Sequence, residues 1–595
     1  MSDKNNFIES VELPKPKRSA FDLSHYNHLT AKLGKLIPIV CEPMVPGDEF
    51  HGSAETYVRQ APMLAPIKGD YEIEVTHYFV PNRLLWKNWQ KFITGGQDGQ
   101  QTPSFPRLRV YNNNCAAYKT GTLADYLGYN LPFDHISISP DGRPLYCDNS
   151  AKWTANIPSG QSNTGQLISA LPFRAYNLIC DTYWADENID THLCGELAQE
   201  SYQDFFGQGG VAVPTTNLSS ITDYNSYSRH LLELRSACYR KDYFTASLPW
   251  TQRGGAVTLP LTGDPSIYNT SGGGTTLDIS SIGPLQSSFG QDVGNHLPLT
   301  AVPTSASNAS LYAEPIEEGD VSKRVAMVAN IGNLRADMSQ VNSTTINDLR
   351  AAFALQRWLE RNAVGGSRYI EQILAHFGVR DKDARLQRPE YITGSISHFR
   401  VSETLQTSAS STDGTTTPQG NPTGNGQGYN RDNGFRYKAD EHGYFISLMV
   451  IRPVAMYFQG LKKDWFKFDK LDFLWPDFAH LGEQEVHSFE LLNEVGEPGT
   501  NGRTFGYMPR YSEYRFINNS VHGDFRGSLF YWVNGRVITH SNNTLSPEFL
   551  HVDSHDDAQV YNVTDSTVDK FWCDVYFSLK AIRPLPLYAT PQLIG

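Results

Sequence analysis

Alternation of apolar and polar side chains predicts strands at several points along the chain. In YEIEVTHYFVP, residues Tyr71, Ile73, Val75, His77 and Phe79 alternate with Glu72, Glu74, Thr76 and Tyr78 before Pro81 closes the run. In KFWCDVYFSLKAIRP, residues Phe571, Cys573, Val575, Phe577 and Leu579 share one face ahead of Pro584. Period-two runs bounded by proline suit half-buried antiparallel strands. GYFISLMVIRP (Gly443 to Pro453) is apolar almost throughout, which suits a strand lying between two layers. One alternating strand is early and another is at the end. If both belong to one sandwich, the middle of the chain is inserted into it.

Helical periodicity is rarer. RLLWKNWQKFITGG places Leu85, Trp89, Phe92 and Ile93 on one face and stops at Gly95-Gly96. TTINDLRAAFALQRWLERNAVGGSRYIEQILAHFG predicts a helix that starts at Thr345, with Asp348 completing a capping box. Leu349, Ala352, Phe353 and Leu359 form its apolar stripe, and a second helix runs from about Ser367 to Phe377, stopping at Gly378. Two stretches poor in large apolar groups, 256–343 and 402–434, are expected to be loops, either disordered or exposed and functional.

Composition supports many strands and long connections: 48 glycines, 34 prolines, 31 tyrosines and 30 phenylalanines, with only 19% charged residues. The seven cysteines are scattered, odd in number and without CxxC spacing, so neither a zinc site nor a disulfide framework is indicated. Thiols of this kind suit a reducing compartment. MSDKNNFIES lacks the apolar core of a secretory signal, and no apolar run is long enough to span a bilayer. The expectation is a soluble chain made in a cytoplasm, with no membrane insertion.

Charge is unevenly distributed. The whole chain is at −13, yet Pro14 to Leu36 carries Lys15, Lys17, Arg18, Lys32 and Lys35 against Asp22 alone. Such an arm can attract a polyanion locally while the rest of the surface stays negative. Pro14, Pro16, Gly34 and Pro38 predict an extended, unpacked arm, although Phe21, Leu23, Tyr26, Leu29 and Leu33 need a surface to lie on. On the long helix Arg350, Arg357 and Arg361 fall on one side, facing either phosphates or carboxylates across an interface.

Catalytic and ligand-binding chemistry is sparse. GNGQG (Gly424 to Gly428) and SGGGT (Ser271 to Thr275) are glycine-rich, but neither joins a strand to a helix N-terminus, so flexible loops are expected. HVDSHDD offers His551, Asp553 and His555 on one face of a strand as metal ligands, with Asp556 and Asp557 beside them; a solvated loop is the simpler reading. His25 and His28 suit polar contacts better than ligation. LKKDWFKFDKLDF (Leu461 to Phe473) mixes lysine, acid and aromatic, which suits nucleic-acid stacking or, more simply, amphipathic packing. There is no GxSxG elbow and no nucleophilic cysteine context. Carboxylate pairs are invisible at this level, so a jelly-roll carbohydrate-active enzyme and a lectin-like adhesin stay as alternatives.

Several blocks resemble the major capsid proteins of the Microviridae, tailless single-stranded DNA bacteriophages, and in particular their gokushovirus branch. They are RSAFDLSHYNHLTAKLGKLIPIVCEPMVPGDEF, LPFRAYNLI, RKDYFTASLPWTQRGGAV, INDLRAAFALQRWLERNAVGGSRYIEQILAHFGVRDKDARLQRPEYITG, EHGYFISLMVIRP, DFLWPDFAHLGEQEV and FGYMPRYSEYRF. They span most of the chain in order. The resemblance implies a mainly β fold: a single eight-stranded antiparallel jelly-roll sandwich with long insertions and a few helices. It implies a structural role, with no enzyme activity and no cofactor, in a T=1 shell of about sixty copies around circular single-stranded DNA.

On that resemblance, residues 1–40 are expected to be an interior-facing basic arm and 41–595 the capsid domain. Residues 256–343 would build a threefold protrusion toward a host receptor, and 402–434 a polar surface loop. Lys15, Lys17, Arg18, Lys32 and Lys35 would face the genome. Arg350, Arg357 and Arg361 would face DNA or a neighbouring subunit, and the helices at Arg83 to Ile93 and Thr345 to Arg361 are candidate subunit contacts. The implied partners are further copies of the chain, the DNA genome, an internal scaffolding protein and a DNA pilot protein. The implied location is the virion, assembled in the cytoplasm of a bacterial host.

Overall fold

A computed structural model describes residues 18–95, 166–190, 231–252, 386–405, 422–494, 502–539 and 543–588 (less 555 and 562–567), shorter runs between 100 and 148, and paired strands and a helix within 266–365. The chain divides into two compact units: 252–378, and the remainder on either side of it.

The larger unit is built on two antiparallel sheets. One contains β1 (Ser19–Asp22), β2 (His25–Ala31), β4 (Glu49–Gln60), β7 (Arg400–Leu405), β8 (Pro422–Arg431), β9 (Phe435–Lys438) and β11 (Phe571–Arg583). Its order is β1-β11-β4-β8-β7, with β2 also on β11 and β9 also on β4. The other contains β3 (Ile37–Met44), β5 (Tyr71–Pro81), β6 (Glu390–His398) and β10 (Gly443–Pro453), in the order β6-β5-β10-β3. Strands from the two ends of the chain are direct neighbours: β4 and β11 pair from Glu49↔Ile582 to Gln60↔Phe571. The middle of the chain is therefore an insertion, as the alternation implied.

Between the sheets lies an apolar core that includes Phe50, Val58, Ile73, Val75, Phe445, Val575 and Phe577. On β11 the expected face, Phe571 to Leu579, is the buried one. On β5, Tyr78 and Val80 are also buried, because a second core covers the other side of the four-stranded sheet. There α3 (Leu171–Ile179) packs against that side through residues such as Leu171 and Ile179. Three layers result, and β10 in the middle layer is apolar on both faces for that reason.

Four expectations need correction. The arm does not stay unpacked: β1 and β2 pair with β11, which turns Leu23 and Leu29 toward the core. The stretch 402–434 is not simply a loop, since it supplies most of β7 and all of β8. Its glycines alternate along β8, with Gly424, Gly426 and Gly428 on the buried face. A Cβ on Gly426 or Gly428 would run into the Phe399 ring, and on Gly428 also into Ile73, so a close approach requires glycine there. The predicted helix after Arg83 is two short ones, α1 (Asn82–Leu85) and α2 (Trp89–Thr94), broken where Trp86 turns extended; Gly95 ends the second at φ 77.

The fourth correction concerns the smaller unit. The expected loop 256–343 holds two sets of antiparallel strands: Ser266–Asn269 with Leu334–Asp337, and Leu299–Ser305, Asn308–Ala313 and Val325–Ala329. The helix α4 (Ile346–Gly365) belongs to the same unit. The second predicted helix, Ser367 to Phe377, and the SGGGT segment lie outside the described residues.

Candidate functional site

The most unusual surface lies on the segment expected to pack by its aromatic residues. In 463–481 the rings turn outward instead: Trp465 is 73% exposed and Phe468 85%, with Phe473, Leu474, Trp475 and Leu481 also exposed. Tyr514, Phe516 and Ile517 (92% exposed) extend the patch. Soluble monomers rarely present apolar clusters of this extent, which mark contact with another macromolecule.

The patch is held firmly from beneath. Asp469 and Asp472 form a reciprocal capping box around a short 3-10 turn. The Trp475 indole donates to Lys470 O at 2.7 Å. Lys467 Nζ donates to Asp464 at 2.6 Å and lies 4.0 Å from the centre of the Tyr514 ring. Tyr511, at φ 65, is the one non-glycine residue with positive φ among the described residues. Its backbone N–H donates to Gln484 at 3.0 Å, while its hydroxyl accepts from Trp475 N at 3.2 Å and donates to Phe473 O at 3.3 Å. A strained backbone fixed by three hydrogen bonds keeps the exposed rings in place.

In the smaller unit α4 also exposes apolar groups: Phe353, Leu355 and Trp358. Arg350, Arg357 and Arg361 are all exposed on the same helix. Positions 350, 357 and 361 are seven and four residues apart, so they line one side.

The cations of the arm are placed less freely than their sequence suggests. Arg18 donates to Gly47 O at 2.6 Å and lies 3.6 Å from Glu49. Lys32 lies 3.9 Å from Asp569. Lys35 donates to Ser236 Oγ at 2.8 Å, and burial pulls its pKa down. Each of these three is engaged by its own subunit. Lys15 and Lys17 lie outside the described residues.

HVDSHDD does not form a strand with three aligned ligands. His551 instead meets residues distant in sequence: its Nε2 donates to Asp190 at 2.9 Å, its Nδ1 donates to Ser236 O at 2.9 Å, and Cys238 Sγ lies 3.9 Å away. Asp190, Cys238 and His551 have the spacing of a three-ligand cluster. With both ring nitrogens donating, however, no imidazole lone pair is left for a metal. Burial opposes the positive charge, but the hydrogen bonds to Asp190 and Cys238 prevail and hold the His551 pKa at about 10. Asp556 accepts from the Tyr239 hydroxyl at 2.6 Å, and Asp557 from Tyr71 and Tyr561 at 3.0 Å each. The motif thus works inside the fold. Asp553 is exposed, and His555 lies outside the described residues. Sequence spacing could not reveal this, because Asp190, Ser236, Cys238 and Tyr71 come from remote segments.

A layered β-sandwich with a firmly held, exposed apolar surface suits a structural subunit. Residues 10–138 and 146–593 match the phage capsid protein (F protein) family, and the chain belongs to it. It is 32% identical to the capsid protein VP1 of Chlamydia phage 1, over 99% of this chain and 98% of that protein. It is 29% identical to the capsid protein VP1 of Bdellovibrio phage phiMH2K, over 97% of this chain and 96% of the relative. The VP1 of Spiroplasma virus 4 is 28% identical over 97% of this chain and 95% of its own length. These are gokushoviruses of the Microviridae, so the chain is a capsid protein of that group, as its sequence blocks indicated.

Proposed function

We propose that this chain closes into a T=1 icosahedral shell around circular single-stranded DNA. The rigid apolar patch at 463–481 and 514–517 carries this reading, because an open surface of that kind becomes tenable when neighbouring copies cover it. α4, with Phe353 and Trp358 exposed, is a second contact of the same kind, with Arg350, Arg357 and Arg361 facing a neighbour or DNA.

The strand orders support a single eight-stranded jelly roll. β1 with β2, β11, β4, and β8 with β9 take four positions of one sheet, with β7 added beyond β8 at its edge, and β3, β10, β5 and β6 take the four of the other. The insertion at 252–378 is proposed as the outward excursion that meets the host surface, in the range first assigned to 256–343. An internal scaffolding protein and a DNA pilot protein are the further partners this reading carries. Assembly takes place in the host cytoplasm, and the product is the virion.

Negative-stain microscopy and sedimentation of the expressed full chain test the reading. Closed shells of uniform diameter are expected, and Phe468→Asp with Trp465→Asp should leave folded subunits that stay small. A wild-type chain that never grows beyond small oligomers, with or without a scaffold, overturns it.

A further inference from the structure

The arm posed a question of charge, and the sheet it joins suggests a different answer. Strands β2, β11, β4, β8 and β7 turn one face inward and the other to solvent, and the solvent face is rich in aromatic residues. Tyr26 is 71% exposed, Tyr429 53% and Trp572 48%. Tyr57 and Tyr576 occupy outward positions between them, with the Tyr26 and Tyr576 rings 4.7 Å apart.

The register sets these side chains in rows. Asp574 stands opposite both His28 and Tyr57, and Tyr57 opposite Tyr429. Two residues along, Trp572 pairs with Arg59, Arg59 with Gln427, and Gln427 with Arg400. Neighbouring strands are about 4.8 Å apart and alternate residues about 7 Å apart, so the rings and guanidinium groups fill an area a few nucleotides long. Arg59 lies 5.3 Å from the centre of the Tyr57 ring. Among the described residues, neither Arg59 nor Arg400 makes an ion pair with a carboxylate.

Charge agrees with this arrangement. Arg59, Arg400, Arg431, Arg436, Lys438 and Lys580 outnumber the acids of the same face, Asp22, Glu49, Glu55 and Asp574, in a chain of net charge −13. A concavity of about 840 Å³ bordered by His51, Arg431, Arg436 and Lys580 continues the face. Aromatic faces interleaved with arginines on an exposed sheet suit unpaired nucleotides, whose bases stack without regard to sequence while phosphates meet the cations.

We propose that the solvent face of the seven-stranded sheet is a binding platform for single-stranded DNA, with Tyr57, Tyr429 and Trp572 stacking on bases and Arg59 and Arg400 meeting phosphates. This rests on the reading of the chain as a shell around such a genome, and assigns its genome contact to a sheet face rather than to the arm lysines. The arm takes part through Tyr26 and His28, the outward residues of β2.

The test uses the full-length chain and a fluorescein-labelled oligothymidylate of about twenty nucleotides, read by anisotropy. Y57A/Y429A should weaken binding about a hundredfold while the melting temperature stays unchanged, because loss of each of the two stacked bases costs roughly tenfold. R59A/R400A should lower the slope of log affinity against log salt by about 1.4. Particles assembled from Y57A/Y429A should hold less nuclease-resistant DNA than wild-type particles. Wild-type chain that ignores the oligonucleotide, variants that bind like wild type, or variant particles with full DNA content each overturn the platform and leave the shell reading intact. Variants that fold and bind the oligonucleotide but no longer assemble would make this face a contact between copies, which also overturns it. If the wild-type chain forms no particles, the shell reading fails on its own, and the oligonucleotide arm still decides the platform.

Discussion

His77 Nε2 donates to Asp432 Oδ2 at 2.8 Å across the interior of the sandwich, and its Nδ1 lies 2.7 Å from Ser447 Oγ. His77 is on β5 and Ser447 on β10 in one sheet, while Asp432 follows β8 in the other. The carboxylate also accepts from Ala54 N at 2.9 Å and Gly434 N at 3.0 Å. One buried carboxylate thereby joins both layers.

Asp432→Ala should destabilise the subunit by about 3–5 kcal/mol, because it strands a buried imidazole and two backbone donors. Urea denaturation of the isolated variant measures this; a loss below about 1 kcal/mol would reduce the pair to packing. Burial works to raise the Asp432 pKa, but the hydrogen bonds from His77, Ala54 and Gly434 outweigh it and hold it below the usual value. A depressed carboxyl contributes stability above its unfolded pKa of 3.8, and that contribution is lost as pH falls through the folded value.

Two other groups contribute stability that is lost as pH rises, in separate windows. The His551 pKa is raised from 6.5 to about 10, so its contribution is complete below pH 6.5 and disappears as pH rises through 10. His551→Gln should flatten the stability profile across that window. Burial raises Asp557 from 3.8 to about 6 against the hydrogen bonds from Tyr71 and Tyr561. Its protonated form is thus favoured by folding, and its share of stability falls between pH 3.8 and 6. Unfolding midpoints from pH 4 to 10 for wild type, His551→Gln and Asp557→Asn separate the two; unchanged slopes in the variants would contradict the assignment.

Gly428→Val should cost about 1–3 kcal/mol, since the new side chain meets Phe399 and Ile73 within the core. Gly47→Ala has nothing within 4 Å of the added Cβ and pays only the strain of φ 88. Thermal melts of the two variants compare overpacking with backbone strain. Equal, small shifts would mean that β8 does not approach the core as closely as described.

Tyr511→Phe removes the hydroxyl that ties Phe473 and Trp475 together, and leaves the ring in place. The subunit should keep its melting temperature within a few degrees but assemble more slowly, because the patch loses its fixed geometry. Light scattering during assembly follows this. Wild-type assembly kinetics in the variant would show that the patch needs no such brace.

The core strands were legible because burial on one or both faces leaves a periodic trace: β11 alternates, and β10 is continuously apolar. β8 left a period-two trace as well, in Gly424, Gly426 and Gly428, but written in glycine rather than in apolar residues, so it resembled a loop. The exposed apolar surfaces were harder to see. The aromatic residues of 463–481 have the composition of a buried element, and composition does not distinguish a core within one subunit from a core shared between two.

By itself the sequence determined that the chain is a strand-rich capsid protein with a large internal insertion, because alternation, turn formers and ordered sequence blocks are properties of the chain. Only the tertiary structure decided what individual polar residues do. Lys35 is turned against Ser236, His551 against Asp190, and Tyr57 beside Tyr429. Those partners are separated by hundreds of residues, and their meeting depends on sheet register and layer packing, which leave no local mark in the sequence.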